Sequence, residues 1–534
     1  MGAHEGPAWK ARYYMRPRRL LKPKETALNQ SDAPIVAPAP APPIIPRDQH
    51  TVSRSRISPN ALRVLYRLRE GGYQAFLVGG CVRDLLVGIE PKDFDVATDA
   101  LPEEVKKLFR NCRLIGRRFR LAHVFFGREI IEVATFRAAT APPQGDEPEP
   151  DIEDESAVEA AIEADVDTEA DHDGTMGDDV RYREPVARSD EPSRRVEAMD
   201  VDGDSERVFD KTGRIVRDNV YGSIDDDVWR RDFTANALYY NIADFSLWDY
   251  VGGAEDIAAR RLRLIGDPET RYREDPVRML RAARFEAKLP FTLDDATAEP
   301  IGRLRSLLAG VPPARLFDEM LKLFLAGHGA QSLEVLRRRG LLAQLLPSVD
   351  AYLGAHPGSL VEKLLVKGLE NTDARVLAGK PVTPTFLLAL LLYGPIASFI
   401  EATPPEHWHE LRTILDACYK AVRQMQAHMT VPRRFSLGVQ EMFALQPRLE
   451  HPRGRRALRI LEHPRFRAAY DLLLLRAEHG LASHEMAEWW TQVQDASPED
   501  RERMAESLTG RAPQSEGPRR GARKRRRRRP AHPA

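Results

Sequence analysis

Cysteine is nearly absent from these 534 residues: the three present, Cys81, Cys112 and Cys418, lie far apart along the chain. So sparse a set builds neither a disulfide framework nor a paired-cysteine metal site, and it fits a reducing compartment or simple core packing. Long apolar runs are missing too. The most apolar stretch, Phe386 to Ile400, falls short of the roughly 20 residues needed to span a bilayer and is broken by Gly394-Pro395, so a buried helix is expected there. The first residues, MGAHEGPAWKARYYMRPRRLL, hold no continuous apolar segment ahead of a small-residue cleavage site, which argues against a secretory signal and for the cytoplasm. Net charge is the third absence, with 80 Lys and Arg against 80 Asp and Glu. That balance hides segregation: residues 146–179 carry sixteen acidic side chains and no Lys or Arg, whereas residues 519–529 carry nine Lys and Arg. Net charge therefore excludes no class of partner.

What is present is a chain 42% apolar and 30% charged, able to bury substantial cores and long enough for roughly three domains. Residues 1–50 end in a Pro/Ala-rich stretch that cannot build a core, and 1–55 read as a disordered leader. From Ser58 a Ser-Pro start predicts a helix, followed by a strand over AFLV, a helix containing Val82 to Leu86, and a strand over FDVAT. A helix over PEEVKKLFR, a strand around CRLIG and a hairpin turning at Gly127 complete a small α/β unit. Residues 141–205 lack periodicity and aromatic anchors and read as a disordered acidic insertion. Order resumes near Arg217, and beyond Gly253 apolar residues recur at helical spacing almost to residue 495, so the second half is expected to be all α.

The chemistry sits in the first half. Asp93 and Asp95 are two apart on the expected FDVAT strand, where alternation puts both carboxylates on one face, able to share divalent cations for two-metal phosphoryl transfer. Alone, an Asp-x-Asp pair is more often a plain strand-end or turn feature. Upstream, Leu77-Val78-Gly79-Gly80 runs a strand into two glycines and a helix whose free amides suit a triphosphate, and Arg83 follows on that helix. Asp275-Pro276 reads as an N-cap before a first-turn proline, and Asp275 and Arg278, three apart, either project together toward a base edge or form a local surface ion pair. Arg281 and Arg284 continue at that spacing, as phosphate contacts or as a solvated face. Glu132, in an apolar strand, and Asp232, after Arg230 and Arg231, are both candidates for a third carboxylate; Asp232 can equally fix its neighbouring guanidinium groups. His123 reads as a structural histidine, and His172-Asp173, inside the acidic run, as no metal site.

LVGGCVRDLLVG followed by KDFDVAT resembles the head domain of the tRNA nucleotidyltransferase/poly(A) polymerase family. The resemblance continues through DDDVWRRDFTANALYYN, with Asp226, Arg230, Arg231, Asp232 and Asn236 in the second nucleotide-site motif, and through RYREDPVRMLRAARF, similar to the base-recognition helix. Farther on, VPRRF (431–435) and HPRFRAAYDLLLLRAE (463–478) resemble the carboxy-terminal region of the poly(A) polymerase branch. The segment GRRFRLAHV (116–124) points to the same branch, because CCA-adding relatives tend to carry a glycine where this chain has Arg120.

The resemblance implies an α+β protein. A nucleotidyltransferase head would occupy 56–253, interrupted by the acidic insertion; a helical neck with the base-recognition helix 254–330; a helical body with an arginine-rich RNA-binding region 331–510; and a disordered basic tail 511–534. The implied reaction is template-independent addition of AMP from ATP to RNA 3′ ends, with two Mg²⁺ held by Asp93, Asp95 and Glu132. Gly79, Gly80, Arg83, Arg230, Arg231 and Asn236 would hold the nucleotide, Asp232 would serve in the catalytic centre, and Asp275 with Arg278 would choose adenine. Nine arginines against three acidic residues between 431 and 467, Arg433, Arg434, Arg465 and Arg467 among them, would follow RNA backbone without reading sequence, alongside Arg281 and Arg284. Two other readings stand beside this one, a CCA-repair enzyme and a catalytically silent RNA-binding protein; intact Asp93, Asp95 and Glu132 argue against silence. No membrane contact is expected, and no residue pattern names a protein partner, an RNA chaperone or degradation complex included.

Overall fold

The computed structural model describes residues 44–116, 120–127, 129–138, 207–209, 215–218 and 221–508. Most of the expected leader, the acidic insertion with His172, and the basic tail lie outside the described residues. Near the start of the described chain, Ser58 caps helix α1 (Pro59–Glu70) by accepting from the Asn60 amide at 3.1 Å, and Ala61, Val64, Leu65 and Leu68 form its buried stripe. The stripe packs on a mixed sheet assembled from β1 (Ile44–Ile45), β2 (Ala75–Val78), β3 (Asp95–Thr98), β4 (Cys112–Ile115), β5 (Leu121–Phe126) and β6 (Glu129–Thr135). After a separate antiparallel pair, β7 (Arg207–Phe209) with β8 (Ile215–Asp218), come β9 (Leu238–Asn241) and β10 (Leu247–Asp249). The order across the sheet is β1-β10-β9-β2-β3-β6-β5-β4, with β3 and β6 parallel and every other neighbour antiparallel. Gly127 turns the β5–β6 hairpin at φ 66°, as expected.

Alternation along the strands splits the sheet into two faces. Leu77, Val96, Ile131 and Val133 pack under α1 and α2 (Gly80–Val87), in the main core. Phe76, Val78, Ala97 and Tyr239 pack on the other face beneath Ile224 and Val228 of the helix Ile224–Arg230. Asp95 and Glu132 therefore open toward the second face, the face of Ala97.

Several expectations differ at the level of elements. Asp93 lies before β3 rather than on it, because the strand begins at Asp95. Ile44–Ile45, placed in the leader by the Pro/Ala composition, pair with Leu247 and Trp248, and Val52 is fully buried. The strands β9 and β10 went unread, since ALYYN follows a helical stretch without a turn signal. Beyond Gly253 the chain is helical apart from a parallel pair, Arg261–Leu262 with Thr292–Leu293, and helix persists to Ser507, past residue 495. The apolar stretch is the helix Pro384–Glu401; it is long and apolar enough to cross a membrane by composition, yet 67% of it is buried against its helical neighbours, as expected of a core helix. Its Pro395 is accommodated inside the helix.

Candidate active site

Gly79 ends β2 and caps α2 at φ 81°, a backbone conformation that an L side chain rarely adopts. A Cβ there would stand 3.6 Å from Asp95 Oδ2 and 3.9 Å from Arg231 Nη1, so the glycine keeps open the approach to both groups. At this point the first amides of α2 lack helical acceptors and open into a cleft of about 420 Å³. Its lining joins Gly79, Gly80, Arg83 and Asp95 to Arg230, Arg231, Asp232 and Asn236, and to Asp275, Arg278, Arg281, Phe285 and Lys288. Six cations face three carboxylates. The cleft therefore attracts a polyanion while keeping a carboxylate at its floor.

The acidic corner is built by strand register. In parallel pairing Asp95 of β3 stands opposite Glu132 of β6, one strand spacing away, with Asp93 close by on the approach to β3. Burial, then the charges of Glu132 and Asp93, push the Asp95 carboxyl up to about 6. Glu132 is less enclosed than its apolar strand suggested. Ile131 and Val133 take the core face, leaving the Glu132 carboxylate 42% exposed on the other face with His123 Nε2 at 3.6 Å. Among the described residues no three His, Cys, Asp or Glu side chains are already gathered in a metal-binding group. Asp93, Asp95 and Glu132 are accordingly neighbours without being drawn together.

The basic wall is held by internal pairing. Arg83 is only 2% exposed; it donates to Asp84 Oδ1 at 2.9 and 2.7 Å and to Asn236 Oδ1 at 2.5 Å, so it underpins the cleft and fixes Asn236. Arg231 donates to Asp227 at 2.9 Å and to the Tyr239 hydroxyl at 2.8 Å, which aligns it above the sheet. Arg230 donates to the Ala138 carbonyl at 3.0 Å. Asp232 uses one oxygen for the Phe233 amide at 2.8 Å and the other for Arg281 at 2.8 and 2.6 Å. Burial works to raise the Asp232 carboxyl, but Arg281 and these hydrogen bonds hold it below the usual carboxylate range.

The helix Val277–Lys288 supplies the third wall, beginning within one residue of the expected start and with Asp275 Oδ1 accepting from the Val277 amide at 3.2 Å. Asp275 and Arg278 do not pair with each other. Asp275 Oδ2 accepts from Arg315 at 2.7 Å, while Arg278 Nη1 donates to the Arg271 carbonyl at 2.7 Å and to Glu274 at 3.1 Å. The face toward the cleft runs through positions 278, 281, 285 and 288, which is helical period; a strict three-residue spacing drifts off that face. Arg284 accordingly turns away, its Nε 3.8 Å from buried Glu319 on the helix Pro313–Phe324. Phe285 and Lys288 were missed in the sequence, and continuing the 3.6-residue period from Arg281 would have found them.

The arginines of the carboxy-terminal region lie outside this cleft. Arg433 and Arg434 are exposed at the start of the helix Arg433–Glu450. Arg465 pairs with Glu441 at 3.2 Å and Arg467 with Asp471 at 3.2 Å.

A strand, two glycines and a helix N-terminus over a carboxylate corner, walled by guanidinium groups, are the parts of a nucleotidyltransferase. Sequence comparison sharpens the class. The profile of the "Poly A polymerase head domain" matches residues 75–263, that of a "Probable RNA and SrmB-binding site of polymerase A" matches 290–353, and that of the "Polymerase A arginine-rich C-terminus" matches 406–531. Poly(A) polymerase I of Escherichia coli is 41% identical over 520 residues, covering 96% of this chain and 97% of the relative. Its counterpart from Salmonella typhimurium is 41% identical over 498 residues, 92% and 93% of the two chains. A CCA-adding enzyme of Bacillus velezensis is 31% identical over 292 residues, 55% of this chain and 56% of its own. The chain belongs to the poly(A) polymerase family.

Proposed function

We propose that this chain extends RNA 3′ ends with AMP taken from ATP, without a template, and releases pyrophosphate. The observation that carries the reading is the cleft: six cations and Asp95, reached over two glycines, suit a nucleoside triphosphate meeting a hydroxyl. Asp95 and Glu132 in register, with Asp93 beside them, form a hard-oxygen donor set whose crowding raises the Asp95 carboxyl, the signature of a site that a divalent cation relieves. We assign Mg²⁺ to these three residues. When bound, it supplies charge neutralisation and a more acidic 3′ hydroxyl. Asp232, both of whose oxygens are already engaged by Arg281 and the Phe233 amide, is a positioning residue in this reading, and Glu132 is the third carboxylate.

In the reaction the RNA 3′ oxygen bonds to the α-phosphorus, the bond from that phosphorus to the bridging oxygen breaks, and pyrophosphate leaves. The Gly79–Gly80 turn and the α2 amides cradle the triphosphate, with Arg230, Arg231 and Lys288 offsetting its charge. Arg83 fixes Asn236 beside the sugar, and Asp275 with Arg278 meets the adenine edge. RNA is held chiefly by its phosphates, so the preference for sequence is slight. Incubating the purified protein with Mg²⁺, a generic RNA and each nucleotide separately tests this. A long ladder with ATP alone is expected; one to three additions confined to tRNA would replace the reading with CCA repair.

A further inference from the structure

Tyr239 has no solvent exposure, yet its hydroxyl is committed twice. It accepts from Arg231 Nε at 2.8 Å and donates to Asp227 Oδ2 at 2.7 Å, and the same carboxylate oxygen takes Arg231 Nη2 at 2.9 Å. The polarity of this triangle has one solution, because a guanidinium only donates and a carboxylate only accepts. The ring is as fixed as the hydroxyl. In the sheet Tyr239 stands opposite Val78 on one side and Trp248 on the other, and Phe76 and Tyr250 meet its ring edge-on with centroids 6.0 and 6.3 Å away.

Nε and Nη2 of Arg231 are therefore engaged, and Nη1 is left for the cleft. Nη1 makes only a long contact, 3.5 Å, to the Asn236 carbonyl. It stands 3.9 Å from the place a Cβ would take on Gly79, and Asp95 Oδ2 stands 3.6 Å from the same place. Arg231 and Asp95 thus flank one glycine, where the phosphate under attack adjoins those cradled by the turn. Burial and the charges of Glu132 and Asp93 raise the Asp95 carboxyl, and the Arg231 charge opposes them. When the bond from the α-phosphorus to the bridging oxygen breaks, its electron pair stays on that oxygen. A donor already aimed there stabilises the new charge without reorganising.

We propose that Tyr239 is a positioning residue for departure of the leaving group: together with Asp227 it locks Arg231 so that Nη1 meets the oxygen bridging the α- and β-phosphates. The inference rests on the polyadenylation reading for the identity of that leaving group, pyrophosphate. A hydroxyl that merely satisfies its buried neighbours would instead contribute stability and leave the rate of transfer alone.

The test uses the full chain with Tyr239→Phe, which keeps the ring and removes the hydroxyl, and Asp227→Asn as a second variant in case the first folds poorly. In single-turnover addition to a generic RNA with Mg²⁺, the maximal rate should fall at least about tenfold, while the ATP concentration at half-saturation moves by less than about threefold, because the lost contact strengthens only as the bond breaks. Pyrophosphate affinity, measured by calorimetry with Mg²⁺, should weaken at least about fivefold, since the bridging oxygen becomes a charged terminal oxygen in that product. In an Arg231→Ala background Tyr239→Phe should change the rate by less than about twofold, as expected of a residue that acts through Arg231. An unchanged maximal rate in folded Tyr239→Phe protein would overturn the proposal. So would a rise in half-saturation with the rate intact, or an equal loss of rate with the Arg231 side chain already removed. A parent protein that adds no nucleotide refutes the polyadenylation reading instead, while pyrophosphate affinity still decides the role of Tyr239.

Discussion

Arg278 is anchored by its Nη1 to the Arg271 carbonyl and Glu274, at the edge of the cleft and with only 14% of its side chain exposed. A surface ion pair with Asp275 was the plain alternative, and that contact does not form. If Arg278 reads adenine, Arg278→Ala should lower the ATP-to-CTP ratio of kcat/KM by an amount worth about 1–3 kcal/mol. An unchanged ratio in folded protein would remove it from base choice. Asp232 makes a second prediction, about pH. Arg281 and hydrogen bonds depress its folded-state pKa, so it contributes stability that is present above its unfolded pKa near 4 and lost as pH falls through the folded value. In Arg281→Met the remaining dominant influence is burial, which raises the pKa. Acid unfolding, followed by circular dichroism, should then begin at higher pH than in the parent; coincident acid transitions would show that the pair is not coupled. Residue placements of this kind were partly legible in sequence. Gly79, Asp95 and Arg231 announced themselves by motif, whereas the Arg83–Asn236 bond joins residues 153 apart and depends on β9 lying beside β2.

Elements with local signals were readable: the Ser58 cap, the Gly127 turn and the apolar helix Pro384–Glu401 all follow from residues close in sequence. Those that depend on tertiary pairing were not, and β1, only two residues long, exists because β10 offers it an edge. Glycine inside helices separates the two kinds of information. Gly302, exposed in the helix Asp295–Leu304, has open space where a Cβ would go, whereas a Cβ on Gly368 would meet Leu390 at 2.7 Å and Leu475 at 3.0 Å. Gly302→Ala should therefore stabilise by about 0.5–1 kcal/mol through helix propensity. The same change at Gly368 forces overpacking that typically costs about 1–3 kcal/mol, and it should destabilise on balance. Chemical denaturation of the two variants checks the opposite signs, and equal shifts would contradict the tight packing at Gly368.

Across the whole molecule, a formal charge of zero conceals the feature that matters, a cleft with six cations and three carboxylates. Composition could not reveal it, because the cations come from α2, the segment around Arg230 and the helix Val277–Lys288, which only the fold brings together. The class of protein was legible because short motifs carry the Gly79–Gly80 turn and the carboxylates. The direction of Arg284 and the exposure of Glu132 were not, since both depend on which way a helix or strand faces in the assembled protein. The central claim is that AMP transfer occurs at the corner formed by Asp93, Asp95 and Glu132. Its most direct test is the rate of ATP-dependent extension of a generic RNA by the Asp95→Asn protein at saturating Mg²⁺, measured alongside RNA affinity. The account predicts extension abolished, because the amide removes the charge that holds the cation, with RNA binding within about twofold of the parent. Substantial Mg²⁺-dependent extension by folded Asp95→Asn protein would contradict it.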